Sequence, residues 1–278
     1  MKPTFAEIKQ NSYGSTTNRL PTIWSKDGGC PSGTVPIKRI TKDDLIRQRN
    51  MPPPEPANFD NKFVVSNNNI EQKGSYYPFY GYKRAIATPQ YDPNFTKFSG
   101  AGMATSLYNP HVEGQQHSAC RIKIQNGSDI LQVGWRVDPT LYGDNSTRLY
   151  LHYQDTGIGN WWLLLGPDYT QVGFWPHVIL NELKGFATNV DWGGVIYNPP
   201  GLPEPPMGSS FFPFGNSSFD AYCRNIAVSN EDGDSVGVYN IVELTENKFA
   251  YDIQFEGITE GSNTFTYVFY GGPGISDP

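Results

Sequence analysis

The nineteen residues from Leu131 to Leu149, LQVGWRVDPTLYGDNSTRL, constrain the fold more than any other stretch, because a strand pattern, a proline stop and a polar turn follow one another directly. Val133, Trp135 and Val137 alternate with Gln132, Gly134 and Arg136, the period of a strand with one face against a core. Pro139 cannot donate to a ladder and ends the run. Gly143, Asp144 and Asn145 supply turn chemistry, after which Arg148, Leu149 and Tyr150 resume an extended pattern. A β-hairpin-like corner with an aromatic-lined face is expected.

A protein built from such corners needs many turns, and the composition supplies them. Gly 29 and Pro 23, with 14 % aromatic and only 17 % charged residues, fit many short strands joined by turns. The expected class is all-β, an antiparallel β-sandwich of two packed sheets, jelly-roll-like, preceded by a small N-terminal unit. At 278 residues the chain can bury a sizeable core in one large or two modest domains. A net charge of −6 gives no attraction for nucleic acid or an anionic membrane, so neither is expected as a partner. No apolar run approaches the roughly 20 residues that span a bilayer, and no apolar leader follows Met1. A monomer is expected.

Taken in order, residues 1–50 form a first unit, 51–60 a linker and 61–278 the sandwich. In the first unit Asp27, Gly28 and Gly29 make a turn and Thr34 to Ile40 an extended segment. Thr41 is placed to cap a short helix with Asp43 and Asp44 in its first turn. The linker, MPPPEPANFD, favours extended polyproline conformation and is expected to be semi-rigid and accessible. Strands are predicted over Lys83 to Thr88, Gly102 to Tyr108, Cys120 to Gln125, Trp161 to Gly166, Val172 to Pro176, Phe186 to Tyr197, Ala221 to Val228 and Phe265 to Gly272. The helical candidate of the sandwich is His177 to Leu183.

Three motifs together resemble a known family. WSKDGGCPSGTVPI near the N-terminus, FSGAGMATSLYNP at Phe98 to Pro110, and the GW…PTLYGDNSTR of the corner are similar to the plant neprosin family, secreted glutamic peptidases that cut after proline. The resemblance implies that residues 1–50 match an activation peptide, that the full-length product is secreted, and that a β-sandwich carries a pair of glutamates across a cleft. At the matching positions this chain has Gln132, before the GW of the corner, and Val195, in DWGGVIYN. Further departures are a short passage from Arg148 to Trp161, where the family has several more strands, and absent family cysteines, Ala250 standing at one of their places.

A carboxylate pair of this kind works by activating water on one side and holding the oxyanion or giving a proton on the other. Gln132 can do the second task, as in the Gln and Glu dyad of fungal glutamic peptidases. Val195 can do neither. Asp191, four residues before Val195 on the same strand face, is the one acid offered as a substitute, about 13 Å away by strand geometry. The expected function is therefore a catalytically degenerate homologue that holds peptide or proline-rich protein; the alternatives are a peptidase with a compensating acid and an extracellular carbohydrate-binding sandwich. Trp135, Tyr142 and Trp192 are groove candidates, with core packing the competing role for the tryptophans. Trp161 and Trp162 are adjacent, so only one can face inward.

His111, His117, His152 and His177 lack a zinc-binding spacing, and Asp232 to Asp234 lacks the remaining ligands of a calcium loop, so no metal and no cofactor is expected. The odd number of cysteines, Cys30, Cys120 and Cys223, leaves at least one outside any internal pair.

Overall fold

A computed structural model describes residues 40–56, 81–93, 96–154, 160–260 and 263–275. The activation-peptide resemblance before Ile40, Cys30 with it, and linker residues 57–60 lie outside these residues. The first described element is α1 (Lys42–Gln48), and it starts where the sequence predicts. The Thr41 hydroxyl accepts from the Asp44 amide, while the Asp44 carboxylate accepts from the Thr41 amide, a reciprocal capping box.

Strands then follow as β1 (Tyr82–Pro89), β2 (Gly100–Thr105), β3 (His117–Asn126) and β4 (Asp129–Val137). After the short helix α2 (Pro139–Tyr142) come β5 (Arg148–Gln154), β6 (Trp161–Leu165), β7 (Thr170–Trp175) and β8 (Asn189–Tyr197). The last six are β9 (Met207–Gly208), β10 (Ala221–Ser229), β11 (Ser235–Gly237), β12 (Ile241–Thr245), β13 (Asp252–Glu260) and β14 (Asn263–Gly272). One sheet runs β12-β1-β8-β3-β4-β5; the other runs β11-β10-β14-β13, with β2 on β10 and β9 on β14; β6 and β7 form a separate ribbon. All of these pairings are antiparallel. The expected all-β class of packed antiparallel sheets is what the structure shows.

The two larger sheets meet over one core. Trp135, Trp192, Ile196, Cys120 and Ile122 on the first pack with Cys223, Ile226, Val268 and Tyr270 on the second. Polar atoms also cross the interface with partners: Trp192 Nε1 donates to the Gly102 carbonyl at 3.3 Å and Trp135 Nε1 to the Ser106 carbonyl at 2.8 Å. The Sγ atoms of Cys120 and Cys223 lie 3.4 Å apart as free thiols, one from each sheet.

The corner is more structured than a simple hairpin. Asp138 caps α2 by accepting from the amides of Thr140 and Leu141, and Pro139 occupies the first turn, where no amide is needed. Gly143 ends the helix with φ +83, a left-handed conformation natural to glycine. Asp144 then accepts from the Ser146 amide and pairs with Arg148, whose guanidinium lies over the Tyr142 ring. The motif is thus a locally self-bonded corner joining β4 to β5.

Three expectations need correction. The helix expected over His177 to Leu183 is only a 3₁₀ turn, His177–Ile179. The amides of Asn181, Glu182 and Leu183 donate to the buried Asp129 carboxylate instead of to helical carbonyls. The strand expected over Gly102 to Tyr108 ends at Thr105; beyond it the Ser106 carbonyl accepts from Trp135, and Tyr108 packs against the core with its hydroxyl donating to the Phe219 carbonyl. Finally, β9, β11, β12 and β13 were not anticipated; in β13, DIQFEGITE, a glycine and three acidic residues dilute the β-former pattern, and the other three are only two to five residues long.

Candidate functional site

The period-2 alternation of the first sheet separates two populations of side chains. Even positions of β3 and β8 and odd positions of β4 face the core; the remaining ones face away from the second sheet. On that outer face Lys123 of β3 stands opposite Gln132 of β4 and Asp191 of β8. One pair further along, Arg121 has Gly134 on one side and Gly193 on the other. A further pair along, Val195 stands between Arg84 of β1 and Ala119 of β3. The motif positions Gln132, Asp191 and Val195 are therefore brought onto one surface, as the strand offset requires.

The flanking glycines account for where the charge sits. Gly134 is packed so closely that a Cβ there would fall 1.9 Å from the Cys120 carbonyl oxygen, and one at Gly193 would fall 2.3 Å from that of Ala85. With no side chain at either neighbour, the long guanidinium of Arg121 lies between them, fully buried. Its Nη1 donates to Asp191 Oδ1. Lys123 Nζ lies 3.6 Å from Asp191 Oδ2, and Arg84 Nε lies 3.6 Å from Glu246 Oε2.

The remaining anion comes from the linker. Residues 51–56 form a strap across the outer face, and Glu55 reaches into the centre of the charged cluster. Gln132 Nε2 donates to Glu55 Oε2 at 2.7 Å, Arg121 Nη2 donates to Oε1 at 2.9 Å, and Arg84 Nε lies 3.4 Å from the same oxygen. Two bonds hold the strap on either side of Pro52: Gln115 Nε2 donates to the Asn50 carbonyl at 2.9 Å and Tyr82 Oη to the Pro53 carbonyl at 2.7 Å. Met51, Pro53 and Pro54 of the linker are exposed, as expected of an accessible segment, whereas the Glu55 side chain is turned in and buried. A proline-rich segment carries little entropy to lose, and a carboxylate that Arg121 and Gln132 both bond has a strong reason to dock.

Electrostatics follow from that geometry. Burial alone would raise the Glu55 carboxyl, but Arg121, Arg84 and Lys123 override it and hold the group well below the usual carboxylate range. Burial lowers Lys123, against the attraction of Asp191 and Glu55. Glu246 is raised, chiefly by burial.

Because docked Glu55 gives up its proton more readily than free Glu55, docking is fully favoured above the ordinary value of 4.5 and is lost progressively as pH falls below it. The side-chain amide resonance of Gln132 is expected to hold steady between about pH 5 and 8 and to move below about 4.5. A shift confined to rising pH would contradict this assignment.

Further along the same outer face the side chains are apolar and aromatic. Val195 packs with Tyr82, Ala119 and Tyr197. The Tyr82 ring lies 5.0 Å from Tyr197 and 5.4 Å from His117. His117 is held neutral by burial and by neighbouring Arg136, whose Nη2 donates to its Nδ1 at 2.6 Å, which leaves the ring proton on Nε2. An acid at position 195 would enter this nest beside Arg84; the valine completes it as an apolar floor.

Several sequence-predicted roles change. Asp191 is 1 % exposed and engaged by Arg121 and Lys123, so it is a counter-ion of the cluster. Trp135 and Trp192 lie on the core face at 2 % and 0 % exposure and line no groove, a correction set by strand parity. Tyr142 belongs to the corner, under Arg148. Trp161 is buried, donating to the Leu183 carbonyl, while Trp162 packs on Phe174, as adjacency demands. Arg84, Arg121, Lys123 and Glu55 were not anticipated. The available signal was the alternation of Arg121 and Lys123, which puts two cations on one face of a strand whose other face is apolar.

Against known proteins, the neprosin family profile matches residues 114–158 and 152–273, more than half of the chain. A crystal structure of scytalido-glutamic peptidase with a transition state analog inhibitor is similar at 13 % identity over 68 % of this chain and 98 % of that one, with a TM-score of 0.32. That likeness is too slight to carry residues across. The profile includes β3, β4 and β8, the three strands that bring Gln132, Lys123, Asp191 and Val195 together. The chain belongs to the neprosin family.

Proposed function

We propose that this chain holds proline-rich peptide in its cleft without hydrolysing it. The observation that carries the reading is Val195, seated in an apolar nest of Tyr82, Ala119 and Tyr197 at the place of the family's second glutamate. A valine neither takes a proton from water nor orients it. The first position, Gln132, keeps an amide able to hold a carbonyl or carboxylate oxygen, and it does so with Glu55. Fold alone carries no activity, and the site favours binding.

A second reading has one observation in its favour. Gln132 and Glu55 are 2.7 Å apart, the residue types of a Gln and Glu dyad. Yet the cations that fix Glu55 also lower its affinity for a proton, and proton affinity is what a general base needs.

Digestion of a proline-rich peptide across acidic pH separates the two. The unmodified chain is expected to show no cleavage, since loss of one catalytic acid or base typically costs about 10²- to 10⁴-fold. Cleavage after proline by the unmodified chain, abolished by Glu55→Gln, would establish Glu55 as the base and overturn the proposal. Cleavage abolished by Asp191→Asn would do the same for Asp191. Gain of activity in Gln132→Glu with Val195→Glu, against an inactive parent, would show that only the acids have been lost.

A further inference from the structure

We infer that the outer-face cleft is a recognition site for a carboxylate set among prolines, and that the strap at residues 51–56 is its built-in occupant. The inference rests on the peptide-holding reading and specifies which peptide is held.

The cluster brings together the cations Arg84, Arg121 and Lys123 and the carboxylates of Glu55, Asp191 and Glu246. Among the described residues, Glu55 is the carboxylate that Arg121 and Gln132 bond together, one on each oxygen. Withdrawing it takes one acceptor from the Arg121 guanidinium and one from the Gln132 amide, both buried. The geometry asks for a carboxylate: Arg121 Nη2 and Gln132 Nε2 each present a hydrogen to a different oxygen of the same group.

The chemistry beside the carboxylate is also defined. Two residues before Glu55, the Pro53 carbonyl receives the Tyr82 hydroxyl, at the rim of the aromatic nest formed with Tyr197, His117 and Val195. Aromatic side chains with an outward hydroxyl are suited to a polyproline segment, which has exposed carbonyls and is already extended. The self-ligand reads Pro-Pro-Pro-Glu-Pro, and it satisfies both halves of the cleft. An external segment of that character must displace the strap, so its apparent affinity is reduced by the fraction of time the cleft is open.

The test uses the full chain and a fluorescein-labelled peptide of residues 50–56, NMPPPEP, followed by anisotropy at pH 7. The unmodified chain is expected to bind weakly and Glu55→Gln roughly 10- to 100-fold more tightly, the range for a strap docked about 90–99 % of the time. The same peptide with glutamine in place of its glutamate should lose at least about tenfold on the Glu55→Gln protein, in line with loss of a charge-assisted bidentate contact. Equal binding of both peptides, or no gain from Glu55→Gln, overturns the inference. An oligogalacturonide competing as well as the peptide would overturn its proline component. If Glu55→Gln does not fold, an excess of unlabelled peptide added to the unmodified chain decides the matter: the Gln132 amide resonance should remain near its docked position while cleavage within 51–56 by an added protease accelerates, and absence of acceleration counts against displacement. Failure here is distinct from failure of the non-hydrolytic reading, since a chain that cleaved peptide yet chose carboxylate-bearing ones would sink that reading and keep this one.

Discussion

Arg121→Met destabilises the protein by about 3–5 kcal/mol, the usual cost of removing one member of a buried charge set. Arg121 is fully buried and bonds both Asp191 and Glu55. A methionine fills similar space, so packing is largely kept and the loss reports charge. Among the described residues, Asp191 would retain Lys123 at 3.6 Å, and Glu55 would retain Arg84 at 3.4 Å, the Gln132 amide and the charge of Lys123. Adding Asp191→Leu should recover part of the loss, because it removes the carboxylate that Arg121 no longer neutralises, while buried Lys123 gives up the same partner. Urea denaturation of the single and double variants measures both steps. A single variant within about 1 kcal/mol of the parent would mean that these charges are solvated and that the cleft is not a closed electrostatic site.

Trp192→Ala is expected to cost about 3–5 kcal/mol while leaving peptide affinity unchanged. The indole is fully buried between the sheets, and its Nε1 donates to the Gly102 carbonyl of the facing strand β2. Truncation removes that bond and opens a cavity that neighbours fill only in part. A thermal or urea melt combined with the anisotropy titration decides its role. Affinity lost with stability intact would return Trp192 to the groove and reverse the parity assignment.

The same parity explains how much of the site was legible in the sequence. Once β8 is known to be a strand, Asp191 and Val195 must share a face and Trp192 must take the other; the motif and its period carry that much. The corner was legible for the same reason, since each step of Asp138, Pro139, Gly143 and Asp144 is a local bond. What sequence pattern cannot convey is pairing. Nothing within β3 says that Arg121 will lie between Gly134 and Gly193, which come from strands on either side. Glu55 was harder still, because its partners lie 66 and 77 residues away and its own surroundings read as a spacer. The short turn at His177–Ile179 failed for a related cause: Asp129, far back in the chain, takes the amides a helix would have used.

The strap leaves the ribosome before any of the strands that receive it. Arg84, Arg121 and Gln132 come from β1, β3 and β4, and the cradle for Glu55 exists only after β8 has inserted between β1 and β3. Closing loops of 66 and 77 residues is slow and gains nothing until that cradle is complete. Refolding followed by Trp192 burial should therefore finish before the Gln132 amide reaches its docked position, and the reverse order would show the strap nucleating the sheet. A chain segment made first and seated last passes through a folded state in which the sheets are closed and the cleft is open. For that interval, any competing carboxylate in the surroundings has its best chance of taking the place of Glu55.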